Sequence, residues 1–543
     1  MKKPNLSDLT LREKIGQTGM PGIGELREGI ARNGGILGYF KEYPFTGFWC
    51  DHLVKAQDKP YKAPRDFAEH IKEVNKDLDV PLLVACDLEE GSDVAFGELH
   101  HISANMSVGA ANSPELTYKR SYYYAKELRS FGVNWAFGPV FDMLNNFFDV
   151  MGPRCISDDW RTVSEHAANM VKGMQDAGVA ACPKHFPGSG NDYRDPHFCS
   201  ATNDFTREEW DATYGNIWRS ARDAGALSYM ISHMSFPAVD DSLTPLGAPT
   251  PATASKKILD ILRRDMSYDG IIVTDAVCMK GVASAFEHED VYIECFNAGN
   301  DVILFVHDDY IDIMEKAVLD GRVSMERLDE SVRRILDFKE RLGLFDDNAE
   351  IPELSEEEKR DFDSVNYEIS KHALTIVTNS NGMIPFDKSR IRSALIIAFS
   401  PFEPFGESVK VMADRFAEYG ISADIVPTIP GKAVLEDYSK KYDLIVYATF
   451  LAMGKPSGMP FFSQNLSTLF NSYSYGTEKS VAASFGAPSI YHNYFETAPA
   501  FINAYSSDEA TMRAFVDGIL GEFELVGRSP VDLKPSFSRR VKL

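Results

Sequence analysis

The sequence predicts an α/β protein: a (β/α)8 TIM-type barrel followed by a second, layered α/β sandwich domain. Three observations predict it. A short apolar run is followed by an amphipathic stretch about eight times over about 300 residues, the order that builds a parallel barrel. The short runs are continuously apolar, as strands buried on both faces are. Acids, histidines and a lysine stand just after those runs, the end at which such barrels assemble their sites. The barrel is expected in residues 1–345, a linker in 346–370 and the second domain in 371–543.

Each element has its own local reason. The chain opens on a helix in which Thr10 and Glu13 have the spacing of a capping box. The run 34–40 reads as the first strand, 66–78 as a helix, and 80–87 as a second strand ending on Asp87. Residues 114–130 read as a helix, 133–140 as a third strand and 152–156 as a short fourth one. A helix over 162–177 leads into the strand 178–182, which delivers Lys184 and His185. A helix is expected over 208–224 and a strand over 227–233. The helix 255–266 starts on Ser255, a favoured N-cap residue. The strand 271–274 ends on Asp275, and a helix over 290–298 precedes the last strand, 301–306. An amphipathic helix over 322–344 is followed by a charged, proline-containing stretch, 346–358, that reads as the start of the linker. Beyond it, strands are expected at 373–378, 394–399, 423–426, 444–448 and 481–485, with helices at 407–419 and 506–520. No glycine-rich phosphate fingerprint is present in that half.

At 543 residues the chain is too long for one ordinary domain. A net charge of −24 argues against binding nucleic acid or an anionic membrane through bulk electrostatics, while leaving a local basic pocket open. No apolar run is long enough to span a bilayer, and residues 1–8 lack the apolar core of a secretory signal. The 7 cysteines are scattered singly with no CxxC, so reduced thiols and a cytoplasmic location are expected.

The chemistry concentrates in Lys184 to His197. Pro187, Gly188, Ser189 and Gly190 cannot continue a strand and must form a loop. That loop delivers Asp195 and His197, an imidazole that titrates near neutrality beside a carboxylate able to hold its tautomer. The alternative is plain turn chemistry, since Asp-Pro-His also suits a surface loop. Asp275 is either a cap for the next helix or a nucleophile. Its strand-end position, shared with Asp87, His185 and His233, favours the second. Lys184 and His185 are either a salt-bridge pair at a barrel rim or, with Asp87 and Arg154, a dense set of donors and acceptors for a polyol. His185, His197, His233, Asp192 and Asp195 have the residue types of a metal site, but their spacing matches no HExxH-like pattern. No cysteine sits in a nucleophile elbow.

Several ordered motifs together resemble glycoside hydrolase family 3, in the two-domain form of its β-N-acetylhexosaminidase (NagZ-like) branch. Residues 9–17 resemble the family's opening helix. Lys184 to His197 resembles its K-H-F-P-G-H-G-x4-D-S-H signature with the same spacing. Residues 232–240 resemble its H-x3-P-A-x-D strand, 268–275 its F-D-G-V-V-x-S-D segment, 299–301 its A-G-x-D turn, and 481–488 a strand of the second domain. The resemblance implies a retaining, exo-acting mechanism with Asp275 as nucleophile and His197, paired with Asp195, as acid/base. It implies that Asp87, Arg154, Lys184 and His185 hold the hydroxyls of a terminal N-acetylglucosamine. It implies a small carbohydrate as partner, and neither an organic cofactor nor a metal. Three departures stand out. Ser189 replaces the signature's second histidine, Ala276 follows the nucleophile position, and residues 87–95 lack both arginines of the D-x-E-G-G-R-V-x-R loop. Other readings are an N-acetylglucosaminide phosphorylase, because an imidazole tolerates an anionic acceptor, a β-glucosidase-like enzyme, and a catalytically silent carbohydrate-binding homologue.

Overall fold

The computed structural model describes residues 2–50, 64–89, 99–146, 149–380, 382–400, 409–428, 430–451 and 477–534. They form an α/β protein whose strands fall into two groups. The first holds β1 (Gly19–Pro21), β2 (Gly47–Trp49), β3 (Leu83–Asp87), β4 (Trp135–Phe137), β5 (Ala180–Ala181), β6 (Ser228–Ile231), β7 (Ile271–Thr274) and β8 (Ile303–Val306). The second holds β9 (Thr375–Asn379), β10 (Ser393–Phe399), β11 (Ser422–Val426), β12 (Leu444–Thr449), β13 (Ser480–Ser484) and β14 (Ala500–Asn503).

Every ladder of the first group is parallel: β2-β3-β4-β5, β6-β7 and β1-β8. These are separate ladders and not one closed sheet, unlike the continuous barrel expected from the sequence. Between β5 and β6 the pairing shrinks to a single bridge, Phe186 to Ile231. The reason is local: Pro183 and Pro187 flank this stretch and have no N–H to offer a ladder. Between β7 and β8 one bridge, Val273 to Val302, remains, and the Thr274 hydroxyl takes the N–H of Leu304 at 2.9 Å. The apolar strands are buried on both faces. Leu83, Ala85, Trp135, Ala180, Met230, Ile271, Val273 and Leu304 meet in one cluster, while Val84, Cys86 and Leu82 pack outward under helices.

Two expected strands take other forms. Residues 34–40 are not a strand: Gly34 and Gly35 turn with positive φ and the helix Ile36–Glu42 follows, burying Ile36, Tyr39 and Phe40 at helical spacing. The first strand is instead β1. Gly152–Arg154 is a 3₁₀ turn with Pro153 in its first positions. The charged stretch expected as linker contains the helix Glu356–Ala373, whose capping box pairs Ser355 with Glu358. It docks through Lys126 to Glu358 on one side and Ser370 to Thr511 on the other. Helix Pro114–Ser130 and strand β7 match their expected bounds.

The second group is one sheet in the order β11-β10-β12-β13-β14-β9, parallel except for β9, which runs antiparallel to β14. Strand β14 and the helix Lys432–Lys441 were not expected from the sequence. No described helix is long and apolar enough to cross a membrane.

Candidate active site

The site residues sit at the carboxyl ends of the first group of strands. Asp87 ends β3, and Lys184 and His185 follow β5. His233 follows β6, and Asp275 follows β7, its N–H donating to the Ile231 carbonyl at 2.9 Å. Asp87 and Lys184 share one polar network with Arg154 and Glu89. The Lys184 ammonium lies 2.6 Å from Asp87 Oδ1 and 2.5 Å from Glu89 Oε1, and the Arg154 guanidinium donates to the same Glu89 oxygen at 2.6 Å. Burial opposes the charge on Lys184, but Asp87 and Glu89 outweigh it and hold the ammonium protonated. Lys184 and Arg154 are buried, with only 2% and 6% of their side chains exposed, whereas Asp87 keeps 34% exposed. The cations brace the carboxylates from behind, and Asp87 reaches forward.

Asp275 stands beside this network. Its Oδ1 accepts the Ala276 N–H at 2.8 Å, and its Oδ2 lies 3.8 Å from His185 Nε2. The opposite ring nitrogen, Nδ1, is 2.7 Å from Asp142 Oδ2. Asp142 is fully buried and also accepts the N–H groups of His185 and Ser189, so the histidine is fixed in place. Burial alone would raise the Asp275 carboxyl, but His185, His233, Lys184 and the Ala276 amide together hold it below the usual carboxylate range. His233 is fully packed between Thr253 and the Ala276 carbonyl, and burial pushes it down, so it is neutral at neutral pH.

The loop that carries Asp195 and His197 is pinned along its length. The indoles of Trp210 and Trp218 both donate to the Pro187 carbonyl, and Asn203 donates to that of Gly188. Gly190 has φ +96°, and a Cβ there would lie 1.7 Å from the Met143 carbonyl oxygen, so only glycine fits. His197 Nδ1 is 2.6 Å from Asp195 Oδ1, which also accepts the His197 N–H at 2.9 Å. Asp195 is 1% exposed and His197 36% exposed, so the carboxylate is a buried brace and the imidazole faces outward. The carbonyls of Pro196 and His197 accept the N–H groups of Gly281 and Lys280. The dyad's loop is thereby docked on the segment that follows Asp275.

Asp142 and Glu89 are partners the sequence reasoning missed. Both had the signal used for Asp87, an acid at or just past a strand end. Ser189, in place of the signature's histidine, is buried and donates to the Met234 sulfur. Residues 91–95, where the two arginines are absent from the sequence, lie outside the described residues. The candidate metal set His185, His197, His233, Asp192 and Asp195 does not assemble. Asp192 is engaged by Arg194 and the Thr202 N–H, and among the described residues no group of three or more metal-ligating side chains converges.

Comparison with known proteins agrees with this arrangement. Residues 10–338 match the glycosyl hydrolase family 3 N-terminal domain. A β-N-acetylglucosaminidase/β-glucosidase of Cellulomonas fimi is 28% identical over 501 residues, which cover 86% of each chain. Among solved structures, a family 3 β-N-acetylglucosaminidase from Paenibacillus sp. str. FPU-7 superposes with a TM-score of 0.82 at 25% identity. The match covers 97% of this chain and 100% of that one. A β-glucoside phosphorylase, BglX, superposes with a TM-score of 0.83 at 23% identity, covering 97% and 94%. The match over residues 10–338 takes in the strand-end acids, the pinned loop and its dyad, and the chain belongs to glycosyl hydrolase family 3 as a glycoside hydrolase of its β-hexosaminidase branch.

Proposed function

We propose that this enzyme is a retaining, exo-acting β-N-acetylhexosaminidase that removes terminal N-acetylglucosamine through a covalent glycosyl-enzyme. The observation that carries the reading is the dyad: His197 Nδ1 bound to buried Asp195 at 2.6 Å, on a loop docked against the segment after Asp275. A family 3 enzyme with a carboxylate acid would take a different group at this place. The named activities of the Cellulomonas and Paenibacillus relatives support the sugar.

In this reading the Asp275 carboxylate attacks the anomeric carbon. His197 gives its Nε2 proton to the departing glycosidic oxygen, so the aglycone leaves as a neutral alcohol. The neutral imidazole then takes a proton from water, the oxygen of that water attacks the anomeric carbon, and Asp275 departs as carboxylate. Asp195 holds the ring tautomer and stabilises the imidazolium that forms in the second step. Asp87, Arg154, Lys184 and His185 bind the sugar's hydroxyls, with His185 Nε2 3.8 Å from Asp275 Oδ2.

The fold proposed for this chemistry is a (β/α)8 barrel in residues 1–345, joined through 346–370 to an α/β sandwich in 371–543. The single bridges between β5 and β6 and between β7 and β8, and the inward cluster to which β1 and β3 through β8 all contribute, support it. A cytoplasmic location fits seven free cysteines spread along the chain. One observation favours phosphate as an alternative acceptor. The outward-facing group of the dyad is an imidazole, which repels an anion less than a carboxylate does.

The test is release of 4-nitrophenol from the β-glycosides of N-acetylglucosamine and of glucose, each with and without phosphate. Release from the N-acetylglucosaminide, lost in Asp275→Ala, is expected. Acceleration by phosphate would make the enzyme a phosphorylase. Release from the glucoside alone would overturn the sugar assignment, and silence of folded protein on both would favour a binding homologue.

A further inference from the structure

The turn that presents Arg154 is held from behind by the far end of the chain. Beyond Arg154, residues Cys155, Ile156, Ser157 and Asp158 are all buried. The segment laid over the last two comes from residues 530–533. The Pro530 carbonyl accepts the Ser157 hydroxyl at 2.5 Å and the Asp158 N–H at 3.3 Å, and the Asp532 N–H donates back to Asp158 Oδ2 at 2.9 Å. Between these polar ties Val531, 6% exposed, packs into one cluster with Val150, Met151 and Cys155, and Leu533 packs against it. Met151 is the link to the site. Its side chain belongs to this cluster, and its sulfur accepts Arg154 Nη1 at 3.4 Å.

The forward side of the turn is tied as well. Asn105 donates to the carbonyls of both Arg154, at 3.1 Å, and Glu89, at 2.7 Å. Arg154 is therefore aimed at Glu89 by a turn gripped on two sides, and one grip belongs to a segment more than 370 residues away in sequence.

We propose that residues 530–533 are a positioning strap: packed through Val531 against Met151 and tied to Ser157 and Asp158, they hold the Arg154 turn in the register that the sugar site needs. By this strap the second half of the chain enters substrate affinity without touching substrate. Displacing a guanidinium by a fraction of an ångström weakens a directional hydrogen bond steeply, so loosening the strap acts on binding. The proposal rests on the reading of Arg154 as a sugar-binding side chain, and the experiment separates the two.

The experiment measures KM and kcat for 4-nitrophenyl N-acetyl-β-glucosaminide in full-length Val531→Ala, Val531→Ile, Ser157→Ala, Arg154→Ala and the double variant Val531→Ala/Arg154→Ala. Folding is followed by thermal unfolding. Val531→Ala and Ser157→Ala should each raise KM roughly three- to tenfold with kcat within about twofold, and Val531→Ile should restore KM. Arg154→Ala should raise KM further, and the double variant should add nothing to it, because the strap acts only through Arg154. An unchanged KM in both strap variants beside a raised KM in Arg154→Ala overturns the strap. Additive effects in the double variant overturn it too, since they assign Val531 a purely structural role. An unchanged KM in Arg154→Ala overturns the reading of Arg154 and the strap with it. If Val531→Ala does not fold, Ser157→Ala, which removes one hydroxyl, decides alone.

Discussion

The Nε2 atom of His185 lies 3.8 Å from Oδ2 of Asp275. The ring's other nitrogen is held at 2.7 Å by Asp142, whose side chain is fully buried. Asp275 thus faces an imidazole backed by a second carboxylate, and His185 heads the charges that hold Asp275 below the usual carboxylate range. Among the described residues, His233, Lys184, Asp87 and Cys278 also interact with Asp275. In Asp142→Asn the shape is kept and the backing charge is lost, so the ring faces Asp275 with less positive character. The sign follows: the Asp275 carboxyl titrates higher and is protonated earlier as pH falls. The acid limb of kcat/KM on an aryl glycoside should move to higher pH, with a loss of roughly tenfold or more at the optimum. An acid limb that stays in place would show that His185 does not act on Asp275.

His197 carries a prediction that depends on the leaving group. Proton donation matters most where the departing oxygen is a poor leaving group, and general acid catalysis is worth about 10²–10⁴-fold. His197→Ala should lose that factor on an alkyl or 4-methylphenyl glycoside and far less on a 2,4-dinitrophenyl glycoside at the glycosylation step. Single-turnover rates on the two substrates separate the cases. Equal losses on both would remove His197 from the role of acid.

Glu89 is the hinge of the charge network. One oxygen, Oε1, takes both Lys184 and Arg154, and all three side chains are largely buried. Glu89→Gln keeps the size but removes the carboxylate that both buried cations share, while Asp87 stays 2.6 Å from Lys184. Removing one partner of a buried pair costs about 3–5 kcal/mol. A fall in thermal stability together with a raised KM is expected, and Glu89→Asp should recover part of both. A variant with unchanged melting and unchanged KM would show that the cations find other partners.

Much of this site was legible because strand ends carry it. The apolar run 271–274 became β7 with its bounds intact, and Asp275 follows it. The Thr10–Glu13 capping box closed as its spacing implied. Legibility failed where a local pattern had two solutions. In 34–40 three glycines and four apolar or aromatic residues suit either a strand or a turn and helix, and the spacing of Ile36, Tyr39 and Phe40 decides for the helix. It failed again where partners meet only in three dimensions. Asp142 and His185 are 43 residues apart, and Arg154 and Glu89 are 65 apart, so no window of sequence shows that one orients the other. The sequence signal for Lys184 and His185 was their position after a strand. Their division of labour, a buried brace and a partner of Asp275, required the packing of β3, β5 and β7.

A last prediction concerns acid stability and leaves the active site aside. His166 has no exposed surface. It lies between the helices Pro114–Ser130 and Trp160–Asp176, with Nδ1 2.8 Å from the Thr117 hydroxyl and Nε2 3.4 Å from Asn112 Oδ1. Burial pushes its pKa down to about 4. The unfolded chain therefore binds a proton near pH 6.5 that the folded chain refuses until about pH 4, and stability falls as pH drops through that window. The full shift is worth about 3 kcal/mol. His233, also buried and pushed down, adds to the same trend. His166→Gln keeps a hydrogen-bonding side chain and cannot titrate. Its melting temperature should fall less than that of the wild type between pH 7 and pH 4.5, whatever the offset at pH 7. Parallel falls in the two proteins would place the acid sensitivity elsewhere, with His233 as the next histidine to replace.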